Sequence, residues 1–182
     1  APDHVVIYLH GLSGGDHSFG VMPQIIEGDG KTWGLNIHSF QPTYQTKDND
    51  TGTPLDFAKT IAEKIKKHFL KQGWGFETPY SIVAHSQGGL VSLKILSHLM
   101  NPCFDSEGVF LPEARACVLP FYNMKALVTL GSPFWGSQGA SSSQGKLMNK
   151  FIKKRSGQFK QIEQLRICLL YTSDAADDGL CV

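Results

Sequence analysis

Long hydrophobic runs, a charge excess of one sign and cysteine are all scarce in this chain of 182 residues. No apolar run reaches the length of about 18 residues that a membrane-spanning helix needs. The 17 basic and 16 acidic residues leave a net charge of +1, and no basic patch is interleaved with aromatic residues. The sequence therefore predicts neither a membrane span nor a nucleic-acid partner.

Motifs for cofactors are also lacking. The pair Gly14-Gly15 suggests a phosphate-binding loop, but the sequence contains neither G-x-x-x-x-G-K-[ST] nor G-x-G-x-x-G. No His, Cys, Asp and Glu residues have the spacing of a metal site. We therefore expect no cofactor and no metal. No internal repeat is found, and an apolar content of 41% is sufficient for one hydrophobic core.

One stretch has the layout of a catalytic turn. Tyr80 to Ala84 is a β-branched and apolar run that predicts a buried strand, and a strongly apolar helical segment begins directly after Gly89. Ser86 lies between them in the pattern A-H-S-Q-G, with Ala84 two residues before it and Gly88 two residues after it. A nucleophile elbow requires this arrangement, because its serine occupies a strained turn with room only for small neighbours.

Two further motifs accompany the elbow. The first predicted strand, His4 to Leu9, ends in the glycine-rich turn His10-Gly11-Leu12-Ser13-Gly14-Gly15, and Ala126 to Ser137 reads ALVTLGSPFWGS. On these three motifs the chain resembles the α/β-hydrolase superfamily, and within it the lipases and esterases, over roughly Val5 to Ser137. The resemblance implies an α/β-hydrolase fold, a mostly parallel sheet with helices on both faces.

The resemblance also implies roles for the site residues. Ser86 is the expected nucleophile, and the backbone N–H groups of Leu12 and Gln87 are the expected oxyanion donors. The elbow geometry indicates the Gln87 donor independently, because it directly follows the nucleophile. The other predicted site residues support the two turns: His10, Gly11, His85 and Gly88.

The sequence does not identify the acid and base of a triad. The family order places both after the serine, but His98 is the only later histidine and falls within the helix that follows the elbow. Asp105 and Glu107 lie in a long insert, Asn101 to Asn123, and neither is favoured as the acid. We therefore assign neither residue, and we expect this chain by itself to be inactive as an esterase.

The pattern also predicts a domain organisation. Residues 1–167 are predicted as a partial α/β-hydrolase domain, truncated at its C-terminal end, and residues 168–182 as a non-native tail. Residues 168–178 read CLLYTSDAADD and resemble the conceptual translation of a sequencing-library adapter. A native strand, turn and helix is the alternative. The start at Ala1, without a signal peptide, indicates a processed N-terminus or a fragment.

Hydrophobic periodicity predicts the elements between the motifs. Ser18 to Glu27 is predicted as a short helix broken near Gly28-Asp29-Gly30, and Leu35 to Phe40 as a strand. A longer helix is predicted to begin after the N-cap Thr53 and to end at Gly73. The helix after the elbow is expected to be buried on most sides. The polar face of the longer helix is expected to be solvated: Lys59, Glu63, Lys66 and Lys67.

Three features leave alternatives open. Cys103 and Cys117 can form a disulfide, which would indicate a secreted or lumenal protein, or remain free thiols in the cytoplasm. The aromatic residues of the insert either line an acyl pocket or cover a helix. The basic stretch Lys146 to Lys160 is more typical of a solvated helix face than of a peripheral contact with an anionic lipid surface.

The function that the resemblance implies is a serine hydrolase that cleaves carboxylic esters, with an acyl ester or lipid as substrate and an acyl-enzyme on Ser86. An acyl thioesterase or acyltransferase would use the same nucleophile. A non-catalytic binding protein of the same fold is the alternative from another class. The strained serine between two glycine-rich turns favours the enzyme, because a binding protein needs neither feature.

Overall fold

The computed structural model describes residues 1–44, 52–75, 77–96 and 123–134. In these ranges the four strands form one parallel sheet in the order β2-β1-β3-β4. The predicted parallel α/β architecture is therefore confirmed. The elements are β1 (His4–Leu9), α1 (Met22–Thr32), β2 (Ile37–Phe40), α2 (Pro54–Gln72), β3 (Tyr80–His85), α3 (Gln87–Lys94) and β4 (Met124–Leu130).

Helices cover both faces of the sheet. Val5, Ile7 and Leu9 of β1 pack in the main core with apolar side chains of α2 and α3. Val6 and Tyr8 lie on the opposite face, in a smaller cluster with side chains of α1. Burial on both faces explains why β1 is a continuous apolar run without polar alternation. No helix of the described ranges has the length and apolar character needed to cross a membrane.

The signals at both ends of α2 act as predicted. The Thr53 hydroxyl accepts a hydrogen bond from the Asp56 N–H, and the Asp56 carboxylate accepts one from the Thr53 N–H. This capping box satisfies two backbone donors at the start of the helix. Gly73 ends the helix with a φ of 69°, in the left-handed region that glycine adopts without strain. The apolar stripe of α2 is buried: Phe57, Ala58, Ile61, Ala62, Ile65 and Phe69.

The prediction for the first helix was wrong at both ends. Helix α1 begins at Met22, later than expected, and continues to Thr32 without a break at Gly28. Gly30 is buried, and a Cβ placed there would lie 2.7 Å from the Ile37 Cδ1 atom. This glycine therefore allows α1 to pack closely on β2, and it does not interrupt the helix.

One further prediction needs correction. Strand β2 begins at Ile37 instead of Leu35. The preceding Asn36 instead bonds to Asp3, whose carboxylate accepts the Asn36 N–H at 2.7 Å. Helix α3 is buried on most sides, as expected, although Leu93 is 42% exposed. Several predictions lie outside the described residues and stay predictions: those on His98, residues 101–122 of the insert, the basic stretch, and the tail.

Candidate active site

The strand register brings three turns together at one edge of the sheet. Leu9 of β1 pairs with Ala84 of β3, and Ala84 pairs with Thr129 of β4. Because the strands are parallel, the segments that leave β1, β3 and β4 start side by side at the carboxyl edge. Open parallel sheets bind their ligands at this edge.

Ser86 occupies a strained turn between β3 and α3, with no loop between the two elements. Its φ of 53° and ψ of −122° are unusual for a residue with a side chain. Such a conformation costs about 1–3 kcal/mol and persists only where the surroundings enforce it. Here the Ser86 N–H donates to the Leu130 carbonyl at 2.9 Å, and the Ser86 carbonyl accepts from the Gly89 N–H at 3.1 Å. This is the geometry of a nucleophile elbow.

The glycine-rich turn after β1 lies directly against the elbow. A Cβ placed on Gly11 would lie 2.8 Å from the Cβ of Ser86, and one placed on Gly88 would lie 2.3 Å from the Leu9 carbonyl oxygen. Real Cβ atoms do not approach other atoms this closely. Glycine is therefore required at both positions, because each allows one backbone segment to contact the other.

The two predicted oxyanion donors directly follow the residues in contact, since Leu12 comes after Gly11 and Gln87 after Ser86. The Gly14 N–H donates to the Gly11 carbonyl at 3.0 Å, which closes a tight turn in which Ser13 has a φ of 59°. In the described part of the chain, the Leu12 N–H of this turn makes no hydrogen bond. Gln87 is the first residue of α3, so its N–H lies at the positive end of the helix dipole.

His10 holds the glycine-rich turn in place. Its ring is buried, with Nδ1 2.9 Å from the Gly11 carbonyl oxygen and Nε2 3.3 Å from the Tyr44 backbone nitrogen. A carbonyl can only accept, so Nδ1 carries the proton and Nε2 accepts from the Tyr44 N–H. Burial is the main reason that the pKa of His10 is lowered. The imidazole is therefore neutral and fully engaged.

Tyr44 supports His10, and the sequence did not reveal this contact. Its ring stacks on that of His10 with centroids 4.2 Å apart, and its hydroxyl donates to the His10 carbonyl. Burial raises the pKa of Tyr44, which keeps the hydroxyl protonated as a donor. The two residues are 34 positions apart, and no local pattern connects them.

The segment after β4 completes the surroundings of the elbow. A Cβ on Gly89 would lie 2.1 Å from the Ser132 Oγ atom, so this segment packs tightly on the first turn of α3. Ser132 belongs to the Gly-Ser-Pro sequence that carried part of the family resemblance. That sequence signal therefore marks a packing contact.

None of the described residues serves as a base for Ser86. His85 is exposed, and its Nδ1 lies 3.3 Å from a Cβ placed on Gly11, so the ring lies beside the glycine-rich turn. In the described ranges no histidine hydrogen-bonds to Ser86. These ranges also contain no group of three or more His, Cys, Asp or Glu that could hold a metal ion.

The parallel sheet and the strained turn between β3 and α3 are those of the α/β-hydrolase fold. Residues 1–170 match a family model described as "Putative serine esterase (DUF676)". The chain belongs to this family, which agrees with the predicted resemblance.

Solved structures of two bacterial enzymes have a similar fold. Phospholipase PlaB from Legionella pneumophila matches 92% of this chain at 20% identity, with a TM-score of 0.61. Lipase BlEst2 from Bacillus licheniformis, in its propeptide form, matches 91% at 20% identity with a TM-score of 0.58. The chain spans 33% of the first and 30% of the second, so these likenesses establish the fold alone. None of the curated proteins matches the chain.

Proposed function

We propose that the protein is a carboxylic ester hydrolase in which Ser86 is the nucleophile. The conformation of Ser86 carries this proposal, since a φ of 53° on a serine between a strand and a helix costs free energy. The hydrogen bonds to Leu130 and Gly89 hold that conformation at the carboxyl edge of the sheet. In a nucleophile elbow this conformation presents the serine hydroxyl to the substrate. Membership of a serine esterase family supports the same chemistry.

The proposed reaction passes through an acyl-enzyme. The Ser86 Oγ attacks the ester carbonyl carbon, and a base takes the hydroxyl proton and passes it to the departing alcohol. Water then attacks the acyl-enzyme and releases the carboxylic acid, so the serine is regenerated. The Leu12 and Gln87 N–H groups stabilise the negative oxygen that develops in each step, and the positive end of α3 adds to this stabilisation.

The base and acid are assigned to none of the described residues. His10 is excluded as the base because both of its ring nitrogens already form hydrogen bonds within the glycine-rich turn. His85 lies beside that turn without a hydrogen bond to Ser86 in the described part of the chain. We propose that both groups are supplied from outside the described ranges.

The proposed substrates are acyl esters, including lipids. A site at the carboxyl edge between two glycine-rich turns gives a carbonyl close access to backbone N–H groups, and acyl transfer requires such access. The serine esterase family supports an ester in preference to a thioester or an acyl acceptor other than water.

The proposal is tested on the complete gene product with p-nitrophenyl butyrate and a fluorescent alkylphosphonate probe. Ser86→Ala should lower kcat by about 10⁴-fold to 10⁶-fold and abolish labelling, because the nucleophile is lost. Ser81→Ala is the matched control, since Ser81 lies on the same strand and bonds instead to His4 at 2.8 Å. Unchanged turnover in Ser86→Ala would disprove the assignment.

A further inference from the structure

A second polar site lies at the carboxyl end of β2, two strands from the elbow in the sheet order. An open surface depression of about 350 Å³ lies between the segment that leaves β2 and one face of α2. We call it the cationic pocket. Its lining residues are Phe40, Gln41, Pro42, Thr43, Lys64, Lys67, His68 and Lys71.

No described residue compensates the positive charge of this pocket. Lys64, Lys67 and Lys71 line it, and its described lining includes no carboxylate. In the described part of the chain the only ion pair joins Asp16 and His17, so none of the three lysines is paired. Glu63 lies four residues before Lys67 but does not bridge to it. Like charges three and four residues apart destabilise a helix by a few tenths of a kcal/mol per pair, a cost that an anion would offset.

The walls of the pocket are ordered. The Lys64 ammonium donates to the Thr43 carbonyl, which fixes this side chain across the pocket. The ring of His68 stacks on Phe40 with centroids 3.9 Å apart, and its Nε2 lies 3.0 Å from the Nε2 of His38. These contacts preorganise the site, which reduces the cost of binding.

We propose that the cationic pocket binds a phosphate-type anion. Three ammonium groups and the Thr43 hydroxyl provide point donors for several oxygens, which suits a phosphate better than a single carboxylate. Two sources share this chemistry: a soluble phosphate compound, or the phosphate of a lipid headgroup in a surface that the protein contacts. The inference concerns binding only, so it does not depend on the esterase activity.

The first experiment titrates the 182-residue chain with inorganic phosphate at low ionic strength and follows the imidazole resonances of His68 by NMR. We expect saturable shifts. Lys67→Ala/Lys71→Ala should weaken the affinity at least tenfold. The matched control is Lys59→Ala/Lys66→Ala, because both lysines belong to α2 but do not line the pocket. It removes the same net charge and should change the affinity less than twofold. Equal losses in both variants would overturn the proposal.

The second experiment identifies the source of the phosphate. The chain is sedimented with vesicles of phosphatidylcholine, with and without phosphatidylglycerol. Sedimentation only with the anionic lipid, lost in Lys67→Ala/Lys71→Ala but not in the control, would support a headgroup. Saturable phosphate binding without sedimentation would support a soluble ligand. The absence of both would refute the site, and circular dichroism checks that both variants are folded.

Discussion

At the scale of single residues, Gly88 has less room than a methyl group needs. A Cβ there would lie 2.3 Å from the Leu9 carbonyl oxygen and 2.7 Å from that of His10, and both are backbone atoms that cannot rotate away. The contact joins the end of β1 to the first turn of α3. The relative position of the glycine-rich turn and Ser86 therefore depends on this glycine.

We predict that Gly88→Ala lowers the free energy of unfolding by about 1–3 kcal/mol, the usual cost of overpacking a tight contact. Urea unfolding followed by circular dichroism measures this change. Gly15→Ala is the control, because a Cβ on Gly15 meets nothing within 4 Å. It should change stability by no more than about 0.5 kcal/mol. Equal stability of Gly88→Ala and the unsubstituted protein would contradict the close contact between Gly88 and the end of β1.

At the scale of elements, helix α1 contains two glycines, Gly28 and Gly30, whose surroundings differ. Gly28 is exposed, and a Cβ there meets nothing within 4 Å. Gly30 faces Ile37 of β2, whose side chain would have to move to make room for a Cβ. Only the second glycine has a packing role, and the first weakens the helix through its conformational freedom.

We predict that Gly28→Ala raises the free energy of unfolding by about 0.5–1 kcal/mol, because alanine favours the helix interior. The same substitution at Gly30 should give no gain or a loss, since its Cβ would lie 2.7 Å from the Ile37 Cδ1 atom. Thermal unfolding of the two variants side by side measures the difference. A stabilised Gly30→Ala, or a destabilised Gly28→Ala, would refute this interpretation of α1.

At the scale of the whole molecule, the burial of histidine rings makes the stability of the fold depend on pH. Burial is the main reason that the pKa values of His4, His10 and His68 lie below the ordinary value of 6.5. The unfolded chain therefore binds more protons than the folded chain once the pH falls below about 6.5. The stability from these neutral rings is fully present above that pH, and it is lost as the pH falls through their folded pKa values.

We predict that the free energy of unfolding decreases steadily from about pH 7 to about pH 5, before most carboxylates titrate. Urea unfolding at several pH values in this window measures the slope. His68→Gln should flatten it, because one of the three groups is removed. A free energy that is constant or increases on acidification would show that these histidines are not held neutral in the fold.

Local chemistry determined the parts of the protein that the sequence predicted well. The elbow at Ser86 is a strand, a turn and a helix within a few residues, and the capping box and Gly73 define α2 through neighbours at most a few positions apart. These signals are contained in short stretches of backbone, so composition and spacing reveal them. The nucleophile, the two donor turns and the parallel sheet could therefore be proposed before the structure.

Tertiary structure decided the features that depend on contacts between distant segments. Tyr44 supports His10 from 34 residues away, and Gly30 serves close packing on β2 where the sequence indicated a break. Lys67 belongs to a solvated face, as predicted, and this face lines the cationic pocket with Gln41 and Thr43. A helical period places lysines on one face, but only the path of the chain after β2 determines what that face encloses.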